Sequence, residues 1–113
     1  MNNRESQLVI VEKYEEFVNY IYPCIQNIAR RHGIAKEEFL KIMFLQVELF
    51  YKAIKSDSKV RLYEADSNLA TIRFYLRFFA DKNRKLITQK QHQTASIKLA
   101  EVGKILGSII KGK

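Results

Sequence analysis

Only four glycines and one proline occur among these 113 residues, and that scarcity restricts the fold more than any other feature. An all-β chain needs a turn roughly every 8–12 residues, and turns draw heavily on Gly and Pro. Five such residues cannot supply them, so the chain must run in long helices with few connections. The apolar pattern agrees. Four segments with apolar residues at three- and four-residue steps are separated by three short polar breaks. The spacing predicts helices over about 5–31, 36–56, 59–83 and 89–111.

The first segment carries Val11, Tyr14, Phe17 or Val18, Ile21, Cys24 or Ile25, and Ile28 at helical spacing. Pro23 lies inside it and is expected to kink or split the helix. His32-Gly33 is expected to end it, with glycine just past the terminus. Glu37-Glu38 opens the second segment, where acids suit the positive end of the helix dipole. Asp57 or Ser58 is placed to cap the third segment. Its face is Leu62, Ala65, Leu69, Ile72, Leu76 and Phe79. Thr88-Gln89-Lys90-Gln91 reads as a capping box that starts the fourth, whose face is Ala95, Leu99, Val102, Leu106 and Ile109. Helices of matched length with short links force neighbours antiparallel. The expected fold is all-α: an up-down-up-down antiparallel four-helix bundle over a single domain, 1–113.

The second segment carries more apolar surface than one bundle can cover. From Phe39 to Ile54 its apolar residues spread over roughly 220° of the helical wheel, where a stripe a little over 100° suffices. On the fourth segment, Ile97 and Ile105 are read as projecting away from Leu99 and Leu106. These surplus flanks predict self-association, with Phe39, Met43, Phe50, Ile54, Ile97 and Ile105 as the oligomer interface.

Charge is distributed unevenly. Residues 1–57 hold eight Lys/Arg and eight Asp/Glu, whereas residues 58–113 hold twelve and four. The second half therefore carries the entire net charge of +8. Such asymmetry favours a polyanionic or acidic partner. Arg73 and Arg77 lie four apart on the third helix, and Arg84-Lys85 follows. Lys90, Lys98 and Lys104 share the outer half of the fourth helix. Placed side by side, the two helices would form one basic surface for nucleic acid or an acidic protein. Tyr63, Phe74, Tyr75, Phe78 and Phe79 lie among these residues. Their spacing fits core packing, with Tyr75 the expected exposed member.

Catalytic candidates are few, and the chain is read as a non-enzyme. His32 and His92 have no acid or cysteine at metal-ligand spacing, so no metal is expected. Arg84 and His92 stand further apart than the Arg–His pair of helical ribonucleases of the HEPN type. Glu15-Glu16 and Glu37-Glu38 diverge around their helices and cannot share a proton. No glycine-rich phosphate loop or nucleophile elbow occurs, so neither a cofactor nor a small-molecule substrate is expected. Cys24 is the only cysteine, which rules out an internal disulfide and suits a reducing compartment. The opening MNNRESQ is polar, and no run approaches about 18 apolar residues. No membrane association is expected, and the cytoplasm is the expected location.

The second half resembles the last two helices of Avd, the accessory variability proteins of diversity-generating retroelements. The resemblance rests on Arg73-Phe74-Tyr75-Leu76-Arg77, Asp81, Leu86-Ile87-Thr88 and the closing Leu99-Ala100-Glu101-Val102-Gly103-Lys104-Ile105-Leu106-Gly107. The first half is similar more loosely, through an opening helix with an internal Pro23. The chain departs from the family in its HGIAKEE connection and in lacking Trp near the C-terminus. The resemblance implies a four-helix subunit assembled into a homopentameric barrel. It implies binding to the element's reverse transcriptase and to RNA or DNA, in support of mutagenic copying. Arg73, Arg77 and Lys104 occupy matching positions, with Arg84, Lys85, Lys90 and Lys98 added by proximity. The wider superfamily includes four-helix proteins encoded in ribosomal RNA intervening sequences, which makes a free-standing RNA-binding bundle the alternative.

Overall fold

The computed structural model describes residues 3–56 and 58–112, with side chains from Val9 onward. Over these residues the chain forms four α-helices: α1 Asn3–Gln26, α2 Gly33–Ser56, α3 Lys59–Ala80 and α4 Gln89–Lys111. No strand occurs among the described residues. Each helix buries one stripe at three- and four-residue steps. Tyr14, Phe17 and Ile21 of α1 meet Phe39, Met43 and Phe50 of α2, Leu69, Ile72 and Leu76 of α3, and Leu99, Val102 and Leu106 of α4. Each such side chain contributes about 1.5–3 kcal/mol when removed from water. The helices, roughly 33–36 Å long at 1.5 Å per residue, lie along the 44 Å axis of a molecule measuring 44 × 23 × 19 Å.

Neighbouring helices run antiparallel. Gln46 reaches Ala65 while the earlier Ile42 meets the later Asn68. Likewise Lys13 pairs with Glu101, and Tyr20 lies under Lys98. The closest packing joins α1 to α4 and α2 to α3, and the ring closes through α1–α2 and α3–α4.

Three boundaries differ from the sequence pattern, each for a local reason. α1 runs through Pro23 and stops at Gln26, before the expected 31. Pro23 is solvent-exposed, so the carbonyl left without a partner one turn back faces water. The chain then makes a single 3-10 turn, Arg30–His32. Gly33 adopts ordinary helical angles (φ −58°, ψ −37°). It opens α2 rather than closing α1. Lys36 Nζ donates to Gln26 O, the last carbonyl of α1, at 3.0 Å and to Ile28 O just beyond it at 3.2 Å. Because α2 begins early, Glu37 and Glu38 fall beyond its first turn. They do not serve its N-terminus.

Ser58 occupies the N-cap of α3 with no side-chain bond to the helix, and Asp57 lies outside the described residues. α3 ends at Ala80, short of 83, because Asp81 leaves helical angles and its Oδ1 accepts from Asn83 N at 2.9 Å. The loop backbone returns to the helix end: Leu86 N and Ile87 N both donate to Phe79 O. The Thr88–Gln91 capping box forms as expected, with Gln91 N to Thr88 Oγ1 at 3.0 Å and Thr88 N to Gln91 Oε1 at 2.9 Å.

One core position is polar. Gln46 is 0% exposed. Its Nε2 donates to Ala65 O at 2.9 Å, and its Oε1 accepts from Asn68 Nδ2 at 2.9 Å. Asn68 Nδ2 also donates to Ile42 O at 2.9 Å. Tyr14 makes a similar buried bond, donating its hydroxyl to Met43 O. Burial pushes that phenol far above its ordinary value, so it remains a neutral donor. The Asn68→Ala substitution strands Gln46 Oε1 without a donor and is expected to cost about 1–3 kcal/mol in denaturant unfolding. Adding Gln46→Met to Asn68→Ala should cost less than the sum of the single changes, because the two share one network.

Candidate functional site

Arg73 and Arg77 lie one turn apart on the flank of α3 that turns toward α4. The turn matters: core residues Leu69, Leu76 and Ile72 fix the inward face, which leaves positions 73 and 77 at its edge. Arg73 is half-buried and Arg77 exposed. The Arg73 guanidinium reaches Gly103 on α4, and the following residue, Lys104, is exposed on that helix. Among the described residues, none of these three makes an ion pair. Their positive charge is therefore available to an incoming anion rather than spent within the fold.

The remaining basic candidates do not converge on this crossing. Arg84 folds back on the end of α3. Its Nη1 donates to Phe78 O at 3.0 Å, its Cζ lies 3.8 Å from the Phe78 ring centroid, and Asp81 Oδ1 is 3.9 Å away. Lys98 turns to the opposite side of α4, with Nζ 5.8 Å from the Tyr20 ring centroid. Lys85 and Lys90 are exposed, in the α3–α4 loop and the first turn of α4. The surface thus has a compact centre at Arg73, Arg77 and Lys104, with Lys85 and Lys90 at one end. Spacing on a wheel places Lys98 in the outer half of α4. Only the packing of α1 shows that this side is occupied.

The aromatic residues separate by face. Phe79 is core, and Tyr75 and Phe78 are half-buried. Tyr75 rotates toward α2 and packs edge-on against Phe39 at 6.3 Å, so it is not the exposed member. Phe74 and Tyr63 are, at 51% and 53% exposure. Together with Ile34 and Phe78, Phe74 lines a shallow cleft beside Arg31 and His32.

The expected oligomer residues also divide. Phe39, Met43 and Phe50 lie in the core of this chain. These three leave almost no surface at which a second subunit could pack. Ile54 is half-buried. Ile105 is partly buried and packs against the core, rather than projecting from the far side. Ile97 is 59% exposed. The wide apolar arc of α2 has a structural use. Its two flanks pack on α1 and α3, and Phe44, Leu45 and Tyr51 remain at the surface. These three are the apolar surface that wheel counting blurred.

Among the described residues, no group of three or more His, Cys, Asp or Glu is placed to hold a metal ion. The Cys24 thiol donates to Tyr20 O at 3.5 Å, and burial raises its pKa. Both effects keep it protonated at neutral pH and blunt it as a nucleophile. No helix among the described residues is long and apolar enough to cross a membrane.

The fold is that of a four-helix bundle whose third helix carries two arginines without ion pairs among the described residues. The chain belongs to the bAvd-like family, whose model matches residues 8–112. The resemblance read from the second half therefore extends over nearly the whole sequence. The family fits an accessory protein of diversity-generating retroelements. No curated protein matches the chain.

Lys85 is the described non-glycine residue with a left-handed backbone (φ 49°), a conformation costing an L-residue about 1–2 kcal/mol. Lys85→Gly is expected to raise unfolding stability by about 1 kcal/mol, less the entropy glycine adds to the unfolded chain. The same variant should elute earlier from a polyanion column, since the loop loses a charge.

Proposed function

We propose that this protein is a non-catalytic accessory factor of a diversity-generating retroelement. It binds the element's reverse transcriptase and nucleic acid, RNA or DNA, in support of mutagenic retrohoming. The observation that carries this reading is the α3 flank beside α4, where half-buried Arg73 and exposed Arg77, with exposed Lys104 on α4, make no ion pair among the described residues. Family membership supplies the biological setting. Lys85 and Lys90 extend the same surface, while Arg84, folded on Phe78, and Lys98, turned to Tyr20 of α1, stand apart from it. The chain works as one domain in the cytoplasm and assembles into a homo-oligomer, a pentameric barrel. Phe44, Leu45, Tyr51 and Ile97 are the exposed apolar residues available to the contacts between copies, with Ile54 and Ile105 beside them.

The physical case is electrostatic. A surface that neutralises several phosphates releases bound counterions, which makes affinity fall steeply with salt. Arginine's planar fork meets phosphate or carboxylate oxygens in pairs, so Arg73 and Arg77 supply orientation as well as attraction.

The test is co-purification with the reverse transcriptase encoded beside its gene, at low and high salt. Retention that weakens with salt is expected. Loss of all association while RNA still binds would shift the reading to a free-standing RNA-binding bundle. Replacing Arg73 and Arg77 together by Glu is expected to leave helicity unchanged and abolish partner binding. Unfolding of that double variant would show the arginines to be structural. Replacing either arginine by Ala should lower the slope of log affinity against log salt by about 0.7–0.9 for RNA or DNA.

A further inference from the structure

Glycine in a helix interior is a cost without a backbone reason at position 103. No glycine among the described residues has a positive φ, so the freedom that usually selects glycine is unused there. What the missing side chain leaves is space, which the Arg73 guanidinium occupies. A Cβ built on Gly103 would lie 2.6 Å from Arg73 Nη2 and 3.8 Å from its Cζ. The Arg73 guanidinium therefore lies across α4 in the place where any other residue would carry a side chain. Gly107, one turn further along the same helix, has nothing within 4 Å of a built Cβ.

Arg73 is half-buried as a residue and makes no hydrogen bond or ion pair among the described residues. Its guanidinium rests against α4 at Gly103 with no acceptor there. A charge already placed lowers what an incoming anion must offset on binding. We propose that Gly103 is a positioning residue, a seat that holds Arg73 pre-oriented for a phosphodiester group of a bound nucleic-acid strand, with Arg77 one turn away meeting a second. The inference rests on the proposed nucleic-acid binding and names the device that organises it. A phosphodiester is preferred over a carboxylate because two arginines one turn apart, with Lys104 beside them, suit a ligand that repeats its charge along a chain.

The test uses the full-length protein and a labelled single-stranded polyuridine oligonucleotide at fixed salt. Gly103→Ala places a methyl against the guanidinium and swings it into solvent. Its affinity is expected to fall roughly three- to tenfold, the range for an arginine that must be ordered on binding. Its helicity should be intact and its melting temperature unchanged or raised, since alanine favours the helix. Gly107→Ala makes the same change in helix propensity with no neighbour to displace, and should bind like the native protein. Gly103→Ser should repeat the loss. In an Arg73→Ala background, Gly103→Ala should cause no further loss, because the seat then holds nothing.

Native affinity in Gly103→Ala, or an equal loss with and without Arg73, overturns the seat while leaving the basic surface in place. Native RNA binding after both Arg73→Ala and Arg77→Ala overturns the proposed surface itself. Loss of reverse transcriptase binding with RNA binding retained, in both Arg73→Ala and Gly103→Ala, would assign the seat to a protein carboxylate and overturn the phosphodiester assignment.

Discussion

The buried amide of Gln46 sets the register on which the rest of the bundle depends. Apolar stripes alone tolerate sliding, because one leucine replaces another at little cost. A buried side-chain amide does not, since displacement by one turn would leave its donor and acceptor unpaired in a dry core. Gln46 meets Ala65 O and Asn68 Nδ2, and Asn68 closes the network on Ile42 O. No buried side-chain nitrogen or oxygen among the described residues lacks a partner. The α2–α3 pair is thereby locked. The height of α3 then decides which of its side chains crosses which residue of α4.

That crossing sets the arrangement of the arginines. With α3 held, Arg73 falls opposite Gly103 and Arg77 follows one turn later. The chain uses its connections to the same end. Leu86 N and Ile87 N return to Phe79 O, Gln89 Nε2 donates to Ala80 O at 3.0 Å, and buried Ile87 anchors the loop. These contacts bring α4 in at a fixed angle. The acids of this half are few and partly engaged: Glu64 with Arg61, Asp81 with Arg84, and Glu101 with Lys13 of α1. Among the described residues, Arg73 and Arg77 make no ion pair.

Helix number, helix type and most of the inward face were legible because periodicity reports burial directly. The Thr88–Gln91 box was legible too, since both of its bonds are local. The end of α1 was not. Gly33 looked like a terminator, yet the carbonyls at that end are met by Lys36 from the next helix, a partner no local rule supplies. Gln46 was invisible for a related reason: a glutamine flanked by apolar residues reads as surface until Asn68 is placed beside it. The burial of Phe39, Met43 and Phe50 within this chain was not legible because a wheel shows that an arc is wide without showing how many neighbours cover it.

The sequence by itself determined a helical chain of four segments, a basic second half, and the arginine pair at one-turn spacing. Those properties follow from local geometry and from counting charge. Only the tertiary structure decided that Tyr75 turns inward while Phe74 stays out, that Lys98 and Arg84 leave the groove, and that Arg73 rests on Gly103. Each depends on the rotation of one helix against another. That rotation is set by packing and buried hydrogen bonds between residues far apart in the chain, which no local pattern encodes.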